Sequence, residues 1–173
     1  MTAGTFLAIK DKMTEALKRR LKQERFPSPL QEALLSVGVA ASAINDLVDG
    51  VCERHGLTRS QYNVLRILRG VHPDGHSRCE VACRMVERAP DITRLVDRLQ
   101  ARGLVRRTRG RSDQRQAIAR ITAKGLKLLE MIQPELDALT ASRFHKLSDK
   151  DCRELSRLCA LLFGEADACP KKH

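Results

Sequence analysis

The order of the local patterns between residues 57 and 122 restricts the possible folds more than any other feature of the sequence. Three short helical patterns follow one another within about 45 residues: TRSQYNVLRILRG, SRCEVACRMVER and PDITRLVDRLQARG. Thr58 and Ser77 stand at the capping positions of the first two, and Pro90 stands in the first turn of the third. Because short turns join the three helices, we expect them to pack against one another as one small unit.

Two strand candidates come directly after the third helix. They are LVRRT, at 104–108, and QAIARIT, at 116–122. A helix-turn-helix followed by a two-stranded hairpin is the winged-helix arrangement. The sequence therefore predicts that 57–122 is a winged helix-turn-helix domain.

Long helices with an apolar stripe are predicted on both sides of this domain. Ser28 and Pro29 begin one that runs to Gly56. Thr122 begins another, in which Pro134 is expected to produce a kink or a break. Helices of this length find too few partners within a small monomer. We therefore expect them to pack on a second copy of the chain, and an internal helical hairpin is the alternative.

The fold class that follows is mainly α with a small β-hairpin wing: a winged helix-turn-helix flanked by long N- and C-terminal dimerisation helices. Residues 1–56 and 123–173 are predicted to form a discontinuous helical dimerisation region. Within it, 1–27 is an additional N-terminal amphipathic helix. The last helix is predicted to begin at a capping box formed by Ser148 and Asp151.

The positive charge is concentrated in the middle of the chain. The whole sequence carries +11, and the segment 57–120 has 15 basic and 6 acidic residues, a net of +9. All fifteen basic residues are arginine, whose planar guanidinium suits phosphates and guanine edges. A solvated basic surface is the alternative, but charge concentrated in this way favours a polyanionic partner, double-stranded DNA.

Targeting signals are not recognisable in the sequence. There is no signal-peptide pattern, and no run approaches the roughly 18 apolar residues that are needed to span a bilayer. We therefore expect a cytoplasmic protein without a membrane partner, whose six cysteines are reduced thiols.

The third helix of the domain has one apolar and one polar face. Its apolar face is formed by Ile92, Leu95, Val96 and Leu99, which leaves Asp91, Thr93, Arg94, Asp97 and Arg98 facing outward. Such a helix can enter a major groove, where arginines at 94 and 98 reach guanine or phosphate and a threonine at 93 reaches phosphate or a thymine methyl group. The alternative is local pairing of Asp91 with either arginine.

The loop between the two strand candidates carries an arginine-rich tip. Arg109, Arg111 and Arg115 lie on it, and the negative potential of a minor groove attracts arginine. Asp113 would be repelled by phosphate if its carboxylate were unpaired. We expect it to pair with a neighbouring guanidinium or backbone amide and so to fix the tip.

The sequence DITRLVDRLQARGLVRR, followed by DQRQAIARITAKG, resembles the MarR family of bacterial winged-helix transcription regulators. The family's wing pattern is D-x-R and then a strand ending in hydrophobic-Thr-x-x-Gly, which DQR at 113–115 and ITAKG at 121–125 match. LTRSQYNVLRIL, at 57–68, resembles the helix that precedes the family's helix-turn-helix. The resemblance covers about 30–163.

This resemblance implies a homodimer whose terminal helices intertwine on a pseudo-palindromic operator. It implies Thr93 and Arg94 at the major groove and Arg115 in the minor groove. It also implies a regulator, in our interpretation a repressor, that releases DNA when a small molecule binds or a cysteine is oxidised. The sequence does not identify that small-molecule effector.

For the segment 72–83, which ends within the second helix, a metal or redox site is the weaker alternative. His72, His76, Cys79 and Cys83 form H-x3-H-x2-C-x3-C, which has metal-ligand residue types but no standard zinc spacing. Buried or half-buried structural thiols are the favoured interpretation of the two cysteines. We expect no cofactor.

Enzymatic motifs are missing from the sequence: G-x-S-x-G, the P-loop, G-x-G-x-x-G and H-E-x-x-H do not occur. We therefore do not expect an enzyme. Winged helices also serve as protein-interaction modules, but such a module has no need of an arginine-only tip and a strongly basic segment. DNA binding is the prediction.

Overall fold

The computed structural model describes residues 15–87, 91–109 and 117–163. Contacts divide the chain into two compact units, 1–46 and 47–173. The predicted boundaries between the dimerisation region and the DNA-binding domain divide the chain by function and not by contacts, and they stay a prediction.

The first unit contains a helical stretch at 15–21 and most of α1, which runs from Pro29 to Arg54. The predicted cap at Ser28 is confirmed, because its hydroxyl oxygen accepts a hydrogen bond from the backbone N–H of Gln31 at 3.2 Å. Four large apolar residues of α1 in this unit are exposed: Leu30, Leu34, Val37 and Ile44.

By length and composition alone, α1 is able to cross a membrane. It has 26 residues, and its most apolar 18-residue window has a mean hydropathy of 1.4 with 6% of that window buried. This helix has no continuous apolar run of that length, because serine, glycine, asparagine and aspartate interrupt its apolar residues.

The second unit begins with the last turns of α1 and contains all the other labelled elements. These are α2 (Arg59–Gly70), β1 (His76–Ser77), α3 (Arg78–Arg84), α4 (Ile92–Ala101), β2 (Val105–Arg109), β3 (Ala117–Ile121), α5 (Ala123–Phe144) and α6 (Asp149–Phe163).

Side-chain caps determine where α2, α3 and α5 begin, as the sequence predicts. Thr58 and Ser77 each form a complete capping box, with Gln61 and Glu80 respectively. Thr122 accepts a hydrogen bond from the backbone N–H of Gly125 at 3.1 Å. The prediction for α3 is too long at its C-terminal end, because the backbone turns to an extended conformation at Met85.

The wing is a three-stranded antiparallel sheet in the order β1-β3-β2. Its main ladder pairs β2 with β3, from Val105 opposite Ile121 to Arg109 opposite Ala117, so both predicted strands are confirmed. The third strand, β1, in which His76 pairs with Ala119, is not predicted from the sequence. A two-residue strand shows no periodicity that a sequence can reveal.

Gly75 makes the approach of β1 to β3 possible. Its φ is +77°, and a Cβ atom at this position would collide with the carbonyl oxygen of Ala119 and the side chain of Arg120. Only glycine combines this backbone conformation with so close a neighbour.

The hydrophobic core of the second unit lies where α2 meets α4, α5 and the sheet. Leu65, Leu68, Leu99, Leu104 and Leu129 are among its fully buried side chains. This core fixes the outward face of α4 relative to the wing.

The two C-terminal helices differ in how many of their side chains are buried. Pro134 does not divide α5, which is one continuous helix whose Ile132 and Leu136 are buried on either side of the proline. The predicted capping box of α6 is confirmed, because Ser148 and Asp151 exchange hydrogen bonds. Among its described residues α6 buries none, and five large apolar ones are exposed: Leu155, Leu158, Leu161, Leu162 and Phe163.

Candidate DNA interface

The two faces of α4 are as the sequence predicts. Ile92, Val96 and Leu99 are buried against the core, and Leu95 is half-buried. On the opposite side the structure exposes Arg94, Asp97 and Arg98, and Thr93 is half-buried. The helix therefore presents a polar, arginine-bearing surface that starts at its N-terminal turn.

Asp91 caps α4 and holds Arg94. Its Oδ1 accepts a hydrogen bond from the backbone N–H of Arg94 at 3.0 Å, and its Oδ2 lies 3.0 Å from Arg94 Nε. The helix consequently begins after Asp91, and not with Pro90 in its first turn. The local pairing that the sequence left open thus forms with Arg94. An exposed ion pair of this kind contributes little free energy, about 0–1 kcal/mol, so it leaves Arg94 available to a stronger anion.

Thr93 contacts Arg78, which the sequence does not mark as a functional residue. Arg78 Nη1, at the start of α3, donates a hydrogen bond to Thr93 Oγ1 at 3.0 Å. The contact joins the two helices of the helix-turn-helix at their N-terminal ends. Because the two residues are 15 positions apart along the chain, no local sequence pattern predicts this contact.

Asp97 connects α4 to the wing. Its Oδ1 lies 2.6 Å from Nη2 of Arg107 on β2. The pair neutralises a carboxylate on the outer side of α4.

The tip of the wing is only partly described. Arg109 is the last residue of β2, and its backbone pairs with Ala117 of β3. Arg111, Asp113 and Arg115 lie outside the described residues. Their roles at the minor groove stay predictions.

Arg59 links the segment before α4 to the end of α1 within the second unit. Its guanidinium lies 2.8 Å from Asp49 Oδ2 and 3.1 Å from Glu87 Oε1. A second link joins the same end of α1 to α5, where Glu135 accepts a hydrogen bond from Arg54 Nε at 2.7 Å and contacts His55 Nε2 at 2.9 Å. The hydrogen bond with His55 is the largest cause that lowers the pKa of Glu135.

The residues of the H-x3-H-x2-C-x3-C pattern do not converge. Among the residues that the structure describes, no group of three or more histidine, cysteine, aspartate or glutamate side chains is arranged to hold a metal ion. His76 is buried, while Cys79 and Cys83 are exposed, so the interpretation of these cysteines as buried or half-buried is wrong. Only Val81 of the seven-residue α3 faces the core. Cys79 carries a free thiol, whereas Cys83 is disulfide-bonded and departs from the expectation of reduced cysteines.

Comparison with known proteins places this geometry in a family. The MarR family pattern matches residues 57–117. A solved MarR transcription factor from Planctomyces limnophilus is 37% identical, with 79% of this chain and 99% of that chain covered and a TM-score of 0.60. The HTH-type transcriptional regulator MhqR of Bacillus subtilis (strain 168) is 28% identical over 125 residues, which are 70% of this chain and 85% of that protein.

The fold recurs in a protein solved with DNA. Sco3205, a MarR family regulator from Streptomyces coelicolor in complex with DNA, shares the fold with a TM-score of 0.70 at 22% identity, over 84% of this chain and 95% of that chain. The capped α4, the three-stranded wing and these matches agree with one another. The chain therefore belongs to the MarR family of winged-helix regulators, and it is a DNA-binding transcription regulator and not an enzyme.

Proposed function

We propose that this protein is an effector-responsive repressor that binds a pseudo-palindromic operator as a homodimer, with α4 in the major groove and the wing tip in the minor groove. The observation that carries the proposal is the outward face of α4, where Thr93, Arg94 and Arg98 follow one another from the N-terminal turn. A recognition helix reads base edges with this part of its surface.

Each residue of the interface has its own role in this proposal. Arg98 is exposed one turn after Arg94, so the two reach neighbouring positions along the groove. Arg94 exchanges its ion pair with Asp91 for guanine or phosphate, while Asp91 keeps its cap on the backbone. Arg109, Arg111 and Arg115 bind in the minor groove, and Asp113 fixes the tip.

The exposed apolar residues of α1 and α6 support the homodimer. Leu155, Leu158 and Leu162 recur on α6 with helical spacing, and each is about half exposed. Exposed leucine in this number marks an association surface. A second copy that covers these helices also accounts for the apolarity of α1 without a membrane, in agreement with a cytoplasmic location. Residues 1–56 and 123–173 then serve dimerisation, and 57–122 serves DNA binding.

A pocket in the second unit is a candidate place for the effector. It has a volume of about 190 Å³ and is lined by Arg102, Leu104, Lys124, Lys127, Leu128 and Met131. Three cationic and three apolar side chains suit a small apolar anion, and the volume is below the ~300–1,000 Å³ of drug-sized sites. Thermal unfolding in the presence of single-ring carboxylates tests this, because a ligand that binds the native state raises the melting temperature. Lys127→Gln is expected to remove that rise.

Fragment selection tests the proposed function. Genomic DNA fragments that the protein retains are sequenced, and the best fragment is titrated with the wild type and with Arg94→Ala and Arg98→Ala. Each variant is expected to bind about 5- to 150-fold more weakly, which corresponds to about 1–3 kcal/mol. Arg66→Ala, on α2, removes the same charge from an exposed position outside the proposed interface and serves as the control. If both α4 variants bind the fragment with wild-type affinity, α4 does not bind in the major groove.

A further inference from the structure

Arg78 lies next to the recognition helix although it belongs to the helix before it. It is the first residue of α3, its side chain is exposed, and its Nη1 donates to Thr93 Oγ1 at 3.0 Å. Thr93 is the second residue of α4. The guanidinium of Arg78 therefore lies at the N-terminal ends of both helices of the helix-turn-helix.

In helix-turn-helix docking these two N-terminal ends have different neighbours. The recognition helix brings its first residues to the base edges, whereas the preceding helix crosses the sugar-phosphate backbone. A guanidinium has five N–H donors in a planar fork, and the contact with Thr93 uses one of them. Arg78 is thus able to hold Thr93 and a phosphate at the same time.

We propose that Arg78 is a further DNA-binding residue, which binds one operator phosphate and positions the Thr93 hydroxyl against the base edges. This inference rests on the proposed docking of α4 in the major groove. A hydroxyl has one hydrogen to donate and two lone pairs. Because Arg78 occupies a lone pair, the hydroxyl hydrogen of Thr93 turns to the DNA and favours acceptors such as purine N7 or thymine O4.

The phosphate contact is tested by the salt dependence of binding. The selected genomic fragment is titrated at a series of salt concentrations with the wild type, Arg78→Ala and Arg84→Ala. Arg78→Ala removes one phosphate contact in each half-site, so it is expected to bind at least about tenfold more weakly and to lower the slope of log affinity against log salt by about two. Arg84 is the matched control, because it is an exposed arginine at the other end of α3 and donates to the carbonyl oxygen of Glu80. Its alanine variant is expected to keep the wild-type slope.

The positioning of Thr93 is tested by base preference. Competition among single-base variants of the selected fragment identifies the base pair at which Thr93→Val loses discrimination. Arg78→Ala is expected to lose discrimination at the same base pair, and the double variant is expected to lose no more than either single one. Arg78→Lys keeps a positive charge for the phosphate but lacks the fork. It is therefore expected to keep the salt slope and to lose the base preference.

The outcomes separate this inference from the proposed function. If the wild type selects a fragment, and Arg78→Ala binds it with unchanged affinity, salt slope and base preference, Arg78 has no part in DNA binding. If Arg78→Ala weakens all sequences equally and lowers the melting temperature, the contact with Thr93 is structural, and the positioning role is overturned. If the wild type itself selects no fragment, the docking of α4 is wrong and the role of Arg78 falls with it.

Discussion

Asp97 of the recognition helix and Arg107 of the wing form an ion pair in which Asp97 Oδ1 lies 2.6 Å from Arg107 Nη2. The pair joins the two parts of the domain that are proposed to enter different grooves. It therefore links the two parts by a side-chain contact and neutralises a negative charge on the outer side of α4.

Breaking this pair is expected to affect DNA binding more than folding. Because both side chains are at least 36% exposed, Asp97→Asn should lower the free energy of unfolding by no more than about 0.2–1 kcal/mol. Arg107→Asp should weaken operator binding, since it places two carboxylates near the phosphates. Adding Asp97→Arg to that variant restores the pair in reverse. If titration shows no recovery in the double variant, the pair does not set the geometry of the interface.

Gly75→Ala is expected to destabilise the wing. The left-handed backbone conformation costs a non-glycine residue about 1–3 kcal/mol, and the added methyl group meets the carbonyl oxygen of Ala119. Chemical denaturation measures the loss. Gly70→Ala is the matched control, because a methyl group at this end of α2 meets nothing within 4 Å. A Gly75 variant as stable as the control would mean that β1 does not need its close approach to β3.

Arg59→Ala is expected to lower the melting temperature. The substitution removes two ion pairs, with Asp49 and with Glu87, that together are worth about 1 kcal/mol in partly exposed positions. Arg69→Ala, near the other end of α2, removes the same charge and should change the melting temperature less. Equal losses in the two variants would show that net charge, and not the two contacts, determines the effect.

Stability is expected to fall as the pH falls through the range in which histidine titrates. Burial lowers the pKa of His76 below its usual 6.5, the charge of Arg84 lowers it further, and Glu80 acts in the opposite direction. In this range the unfolded chain binds a proton that the folded protein does not, so the free energy of unfolding decreases with falling pH. The free energy of unfolding begins to decrease near the pKa of the histidine in the unfolded chain, and the decrease ends near its lower pKa in the folded protein.

The difference between wild type and His76→Gln isolates this contribution. Melting temperatures of both proteins are measured between about pH 7 and pH 5, where an unperturbed histidine titrates. The wild type should lose more stability than the variant over this interval, because all other titratable groups are the same in both proteins and cancel in the difference. Parallel curves would mean that His76 is protonated equally in the folded and unfolded states.

Much of the fold was predictable because it depends on local chemistry. The caps at Thr58, Ser77 and Thr122 are sequence signals, and so is the spacing of the apolar face of α4. The main ladder of the wing follows from two β-prone runs joined by a short loop. Each of these predictions needs only residues that are close together along the chain.

The parts that could not be predicted depend on tertiary placement. Arg78 reaches Thr93, and Asp97 reaches Arg107, only after α3, α4 and β2 have packed on one core. The exposure of Cys79 is not predictable for a related reason: a helix as short as α3 shows no reliable apolar period, and its single buried residue is Val81.

Binding of two chains to one pseudo-palindromic operator is tested by titrating the selected genomic fragment at two salt concentrations and measuring the stoichiometry of the complex by sedimentation. We expect a nanomolar complex of two chains on one inverted repeat, whose affinity falls steeply as the salt concentration rises. Leu158→Asp, which places a charge on the proposed dimer surface, should abolish the two-chain complex. Micromolar binding that does not depend on sequence, or a tight complex of one chain per site, would contradict the proposed binding of a homodimer to one operator.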